Sequence, residues 1–234
     1  MFYERRHEMI KVEDICVSNM QAAIRGMRNP MNSWEKSDST CAFDIVENFA
    51  PDDPMRHKYY KWYEEFCFNV KLGASDLSLM KKLYSAGTEH RKFMRQIFVS
   101  MDITAPLYWW KEFDTYKIGT CANSCSTMHK IHDKEFVPED FSHEHLSEEG
   151  IVMLDTIIDF LNENRYYFNA EKNKDYWWEM IQILPSSYNQ RRTVTFNYEN
   201  AASMINQRKN HKLDEWKEFC DILLNELPYL KDIM

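Results

Sequence analysis

Apolar side chains recur along this chain mostly at helical spacing, with one clear stretch of strict alternation. Val12, Ile15, Met20, Ala23, Ile24 and Met27 mark the first predicted helix, which Arg28-Asn29-Pro30 ends. Met31 to Asp53 is polar, and Pro51 and Pro54 break its far end, so a loop is predicted there with one short helix around Phe43–Asn48. Tyr59, Tyr60, Trp62, Tyr63, Phe66 and Cys67 predict a helix with an aromatic face, read as core packing rather than a base-stacking platform. Ser75 and Asp76 suit the cap of a helix carrying Leu77, Leu79, Met80 and Leu83, which Gly87 terminates.

From Ile97 the period changes to two. Ile97, Val99, Met101 and Ile103 alternate with Phe98, Ser100, Asp102 and Thr104, which predicts a strand that Ala105-Pro106 closes. Leu107 to Lys117 restarts as an aromatic helix. Phe136 to Glu149 is polar, after which Ile151, Leu154, Ile157, Ile158 and Leu161 define an amphipathic helix, and another is predicted over Lys174 to Ile183. Pro185 opposes helix, so Leu184 to Phe196 reads as a loop that feeds a helix capped by Asn197. On that helix Ala201, Met204, Ile205 and Arg208 share one side. A last helix over Asp214 to Leu227 aligns Trp216, Phe219, Cys220, Leu223, Leu224 and Leu227, and Pro228 follows it.

Composition narrows the function classes. A net charge of −8 argues against generic binding of nucleic acid or anionic membrane, which needs a basic face. Aromatic residues make up 15% of the chain and glycines number only 5, which favours packed helices over a turn-rich sandwich. Six cysteines scattered over 234 residues, with no signal peptide recognised, read as reduced thiols in a cytoplasmic protein. No apolar run approaches the ~20 residues that span a bilayer.

Several residues invite chemistry. A guanidinium on a half-buried face, as at Arg208, is costly unless it meets an anion, so it wants a carboxylate or a phosphate. His129, His132, His143 and His145 have separations at which imidazoles can converge on a metal, but they match no zinc-binding pattern, and no metal is assigned. Ser126, within Ser124-Cys125-Ser126-Thr127, reads by itself as a turn or helix-cap residue, with nothing nearby to make a Ser-His-Asp triad. There is no glycine-rich phosphate loop.

Leu184-Pro185, Tyr188, Thr195 and Asn197, followed by a helix ending in Arg208, resemble without a gap the C-terminal signature of the flavin-dependent thymidylate synthases. Ala105-Pro106, the aromatic helix after it, Asn123 and Ser126 resemble the same family, as does Glu89-His90 more loosely. The chain departs from the family where Thr115-Tyr116-Lys117 stands in place of an Arg-His-Arg triplet, where Ser124 replaces an acidic residue, and where Met128 and His129 replace Arg and Tyr. Ile181 stands where the family carries another nucleotide-binding arginine.

The resemblance implies an α+β fold, in which a small, mainly antiparallel sheet containing Ile97–Ile103 is covered by long helices. It implies one domain over residues 1–234, whose first 74 residues, expected helical, carry no motif, and a homotetramer whose sites are built from several subunits. It implies FAD as cofactor, with NADPH and methylenetetrahydrofolate as co-substrates, and methylation of dUMP or a related pyrimidine nucleotide. By the same resemblance Ser126 would lie beside the pyrimidine as the catalytic residue, Arg208 would bind the nucleotide, and Asn197, Ser203 and His90 would contact the flavin, while Lys117 and Arg191 are expected to bind the nucleotide in place of the family's lost arginines. The lost triplet leaves a second expectation: an oligomeric nucleotide- or flavin-binding protein without turnover.

Overall fold

The computed structural model describes residues 9–41, 50–56, 58 and 70–234. The short helix expected around Phe43–Asn48 and the aromatic helix at Tyr59 to Cys67 lie outside the described residues. The organising element is an antiparallel four-stranded sheet in the order β1 (Lys11–Ser18), β4 (Phe98–Pro106), β6 (Asn189–Asn197), β5 (Cys121–Ser124). A second, two-stranded pair joins β2 (Thr40–Cys41) to β3 (Val70–Lys71).

The alternation in β4 decides which face is buried. Val99, Met101, Ile103 and Ala105 are each 1% exposed or less and face a helical layer together with Val194 and Phe196 of β6. That layer contains α3 (Leu107–Phe113), α7 (Tyr198–Arg208) and α8 (Asp214–Glu226). Its centre is aromatic: Trp109 packs on Trp216 at 4.8 Å between ring centroids, on Phe113 at 5.2 Å and on Phe219 at 5.3 Å. A second cluster forms where α5 (Glu148–Glu171) and α6 (Lys174–Ile183) pack Leu154, Ile158, Leu161 and Met180 against Ile131, Phe136 and Phe141. The other face of the sheet is polar. Ser100 and Thr195 share a hydrogen bond of 2.8 Å there, and Asp102 accepts from Thr193 and Arg191.

Three elements differ from the sequence expectation. The helix expected over Val12 to Met27 is a strand, β1, followed by α1 (Met20–Arg28), so the first 74 residues are not wholly helical. A bulge between Glu13 and Cys16, with Asp14 at φ 53°, inserts a residue into the alternation, and this makes the spacing of Val12 and Ile15 look helical. Asn19, at φ 68°, turns the chain from strand to helix, and its side-chain amide donates to the Gln96 carbonyl at 2.8 Å. The stretch before Asn197, expected as loop, is β6, the strand flanked by both β4 and β5. Finally, Ser75 and Asp76 do not cap their helix. They lie in the first turn of α2 (Ala74–Ser85), behind Gly73.

The displaced Asp76 has a structural use. It is fully buried and meets the Arg28 Nε at 2.6 Å, while its other oxygen accepts from the Ser37 and Ser39 hydroxyls and from the Asp38 and Ser39 backbone N–H groups. Arg28 spends its remaining donors on the Ser33 and Lys36 carbonyls and the Ser75 hydroxyl. A buried ion pair persists only when its lone pairs and protons are satisfied in this way, and here it ties α1 and α2 to the intervening loop.

Two junctions follow the pattern in the sequence. Pro106 ends β4 and α3 begins at once. The free N–H groups of Leu107 and Tyr108 donate to the Tyr188 and Ser186 carbonyls, each at 3.0 Å, so the loop after Leu184-Pro185 closes the start of α3. Asn197 caps α7 by accepting from the Asn200 N–H at 3.0 Å, while Asn200 reaches back to the Asn197 N–H. Cys121, Cys125 and Cys220 are free thiols. Among the described residues no helix is long and apolar enough to cross a membrane.

Candidate functional site

The residues singled out in the sequence fall into two groups, plus one outlier. The first group surrounds α7. The segment from Asp114 to Thr120 lies along this helix and is tied down at three points. Asp114 accepts from the Arg192 Nη1 at 2.9 Å, and Arg192 itself stacks 4.2 Å from the centre of the Trp110 ring. Ile118 gives its carbonyl to the Asn200 side chain at 2.8 Å. Gly119, at φ 77°, passes so close to the cap that an added Cβ would lie 2.9 Å from the Asn197 amide nitrogen, so glycine suits this position on both counts.

The third tie is Tyr116, the middle residue of the segment that replaces Arg-His-Arg. Its hydroxyl donates to the Gln207 Oε1 at 3.0 Å and accepts from the Arg208 Nε at 3.0 Å. Gln207 in turn donates to the Ser203 hydroxyl at 3.1 Å. Arg208 completes the chain with an ion pair to Glu112 of α3, Nη1 to Oε2 at 2.8 Å. Its guanidinium lies 5.2 Å from the Trp216 ring centre and 5.7 Å from that of Tyr116. Burial works against the charge of Arg208, but the Tyr116 hydrogen bond and the Glu112 carboxylate reverse this and raise its pKa.

The anion that Arg208 demanded is therefore present, and it belongs to the same chain. Ser203 and Arg208 are brought into one hydrogen-bonded row, with Asn197 at the opposite end of the same helix. Lys117 is exposed beside them. Gln207 and Glu112 also belong to the row. A polar residue at a helix end and a glutamate in an aromatic helix gave no signal that would single them out in sequence.

The second group lines a cavity of about 340 Å³ between the start of β6 and α4 (Thr127–Lys130). Ser126, Arg191, Lys130, Lys134, Tyr188 and Gln190 contribute to its wall. Ser126 caps α4, accepting from the His129 N–H at 3.0 Å, as its local sequence suggests. The preceding residue is fixed to β6, since the Cys125 N–H donates to the Arg191 carbonyl at 2.9 Å and the Cys125 carbonyl accepts from Gln190 at 2.8 Å. Serine and arginine thus share one cavity.

The Arg191 charge is already well matched. Asp102 lies 2.5 Å away, with Asp14 at 3.7 Å and Glu13 at 3.8 Å. Hydrogen bonds from Thr193 and then Arg191 hold the Asp102 carboxyl below its ordinary pKa. The lysines are paired as well, Lys130 with Asp133 at 2.9 Å and Lys134 with Asp140 at 2.5 Å. Burial, and then the nearby Asp140 carboxylate, push the Tyr188 phenol up, so it enters as a neutral hydroxyl.

His90 joins neither group, and its ring is exposed. Its neighbour Arg91 is better placed: it pairs with Glu199 in the first turn of α7 at 3.3 Å and lies 4.7 Å from the Tyr84 ring centre. The Arg91 Nε and the Glu199 Oε2 are buried without hydrogen-bond partners. The four other histidines of interest do not gather. His132 packs on Phe168, His143 meets the Phe141 carbonyl at 2.7 Å, and His145 approaches Asp214 at 3.5 Å. Among the described residues no three His, Cys, Asp or Glu side chains are grouped to hold a metal.

A small antiparallel sheet with one polar face, backed on the other by helices and flanked by a helical hairpin, has the architecture of the flavin-dependent thymidylate synthases. The structure of thymidylate synthase X from Helicobacter pylori with FAD and dUMP matches this chain with a TM-score of 0.61 at 13% identity, over 94% of this chain and 95% of that one. A second structure of the Helicobacter pylori enzyme, also complexed with FAD and dUMP, matches with a TM-score of 0.60 at 12% identity, over 94% and 97%. No protein-family model matches the sequence, and no curated protein matches it. The likeness is one of fold.

Proposed function

We propose that this chain binds dUMP or a related pyrimidine nucleotide together with FAD and methylates the base, with methylenetetrahydrofolate as one-carbon donor and NADPH as reductant. The observation that carries the reading is the coincidence of two things. The fold is shared over 94% of the chain, and four of the residues expected at the site fall into two clusters. Ser126 and Arg191 line one cavity. Ser203 and Arg208 belong to one hydrogen-bonded row along α7.

Among the described residues the two groups are linked through Arg192, whose Nε donates to the Gln190 Oε1 at 2.9 Å, while no hydrogen bond or ion pair joins Ser126 to Arg208. A site assembled from different subunits of a homotetramer, with Ser126 from one and Arg208 from another, accounts for that separation. The residues around α7 fit a flavin. Asn197, Ser203 and Lys117 offer amide, hydroxyl and ammonium donors to its polar edges. Reduced flavin, when bound, supplies the hydride. The chain's own contribution is positioning and charge: Arg208 meets the nucleotide phosphate, and Ser126 hydrogen-bonds the pyrimidine.

One observation favours the alternative of binding without turnover. Tyr116 stands within the segment where the family carries Arg-His-Arg, and its hydroxyl engages Arg208. Thr115 carries no charge and Lys117 is a point charge without a fork, so the segment does not supply the two guanidiniums. Release of tritium from 5-tritiated dUMP, in the presence of FAD, methylenetetrahydrofolate and NADPH, separates the readings. Turnover-dependent release is the expected result. Saturable dUMP binding with no release would leave only the binding protein.

A further inference from the structure

The geometry points to Glu112 as a built-in occupant of the Arg208 anion site, one that an incoming phosphate must displace and that therefore sets the affinity of the site. The inference rests on the reading above only for the identity of the ligand. The occupancy itself follows from the side chains.

A guanidinium meets phosphate through two parallel N–H groups on one edge. Arg208 has its Nε committed to Tyr116, with the Tyr116 and Trp216 rings close by. The edge formed by its two terminal nitrogens remains, and Glu112 holds one of them, Nη1, at 2.8 Å. The Arg208 side chain is 17% exposed and that of Glu112 42%, so the carboxylate is the member of the pair that solvent reaches more freely. A phosphate approaching this edge replaces Glu112 and leaves the Tyr116 contact intact.

Glu112 is also poorly placed for any other purpose. It lies in the last turn of α3, where the helix dipole disfavours a carboxylate, so its presence there does not serve the helix. What offsets the cost is Arg208. By contrast Asp76, the partner of Arg28, is fully buried and accepts from four further donors in addition to the arginine. That pair is architecture, whereas the Arg208 pair has one member, Glu112, that solvent reaches and that a phosphate can replace.

The test is Glu112→Gln, which keeps the shape of the side chain and removes its charge, compared with the parent by titration calorimetry with inorganic phosphate, dUMP and deoxyuridine. Phosphate and dUMP are expected to bind about five-fold tighter to the variant, which corresponds to about 1 kcal/mol, while deoxyuridine is unchanged. Adding Arg208→Gln is expected to abolish the gain. Equal phosphate affinity in the variant and the parent, a gain that survives Arg208→Gln, or no phosphate binding to either protein would overturn the assignment. Tighter phosphate binding without any binding of dUMP would support the role of Glu112 and remove the pyrimidine reading. Tight dUMP binding indifferent to Glu112 would do the reverse.

Discussion

Asp76→Ala is expected to lower the unfolding free energy by about 3–5 kcal/mol, the range for breaking one side of a buried ion pair. The substitution strands the Arg28 guanidinium, which is 3% exposed, and removes the acceptor that gathers Ser37, Asp38 and Ser39. Chemical denaturation of the two proteins measures the loss. A change under 1 kcal/mol would mean that the loop holds without its carboxylate. The same group predicts an acid limb. Burial alone raises the Asp76 pKa, but hydrogen bonds from Ser39, Ser37 and Arg28 more than reverse this and leave it below the ordinary carboxylate value. A carboxyl whose pKa is lower in the folded state contributes stability above its unfolded pKa of about 4 and loses it as pH falls through the folded value. Stability should therefore decline below about pH 4, and less steeply in Asp76→Asn than in the parent.

Arg208→Ala is expected to weaken dUMP binding by about thirty-fold or more, since truncating one member of a hydrogen-bonded charge pair costs about 2 kcal/mol or more. Arg208→Lys should recover only part of that, because an ammonium is a point charge without the fork. The reason to expect so large an effect from a residue already paired is geometric. Tyr116 and Trp216 fix the guanidinium plane in advance, so little side-chain freedom remains to be lost when a phosphate arrives. Calorimetry with dUMP decides it, and equal affinity in the alanine variant and the parent would take Arg208 out of the site.

What could be read from the residues alone depended on how local the signal was. The alternation from Ile97 to Ile103 gave β4, the helix expected over Lys174 to Ile183 has those bounds, and the helix after Asn197 starts where its cap stands. The β1 strand was hidden because a bulge at Asp14 breaks its period. The β6 strand was hidden for a different reason: it alternates Gln190, Arg192 and Val194 on the covered side, so two of its inward positions are polar. These are satisfied only in three dimensions, Gln190 by the Cys125 carbonyl and Arg192 by Asp114 and the Trp110 ring. The same limit applies to the site. The need of Arg208 for an anion was legible from its place on an apolar helix face. The identity of that anion was not, because Glu112 is 96 positions away in sequence and meets Arg208 only when α3 and α7 pack on one face of the sheet.

The account stands on the claim that this fold still receives a flavin although Thr115-Tyr116-Lys117 has replaced two arginines and a histidine. The visible absorption spectrum of the purified chain, taken after incubation with FAD and removal of the unbound cofactor, tests that claim. A flavin band retained by the protein, and shifted when dUMP is added, is the predicted result; a colourless protein that takes up no FAD at any concentration tried would contradict it.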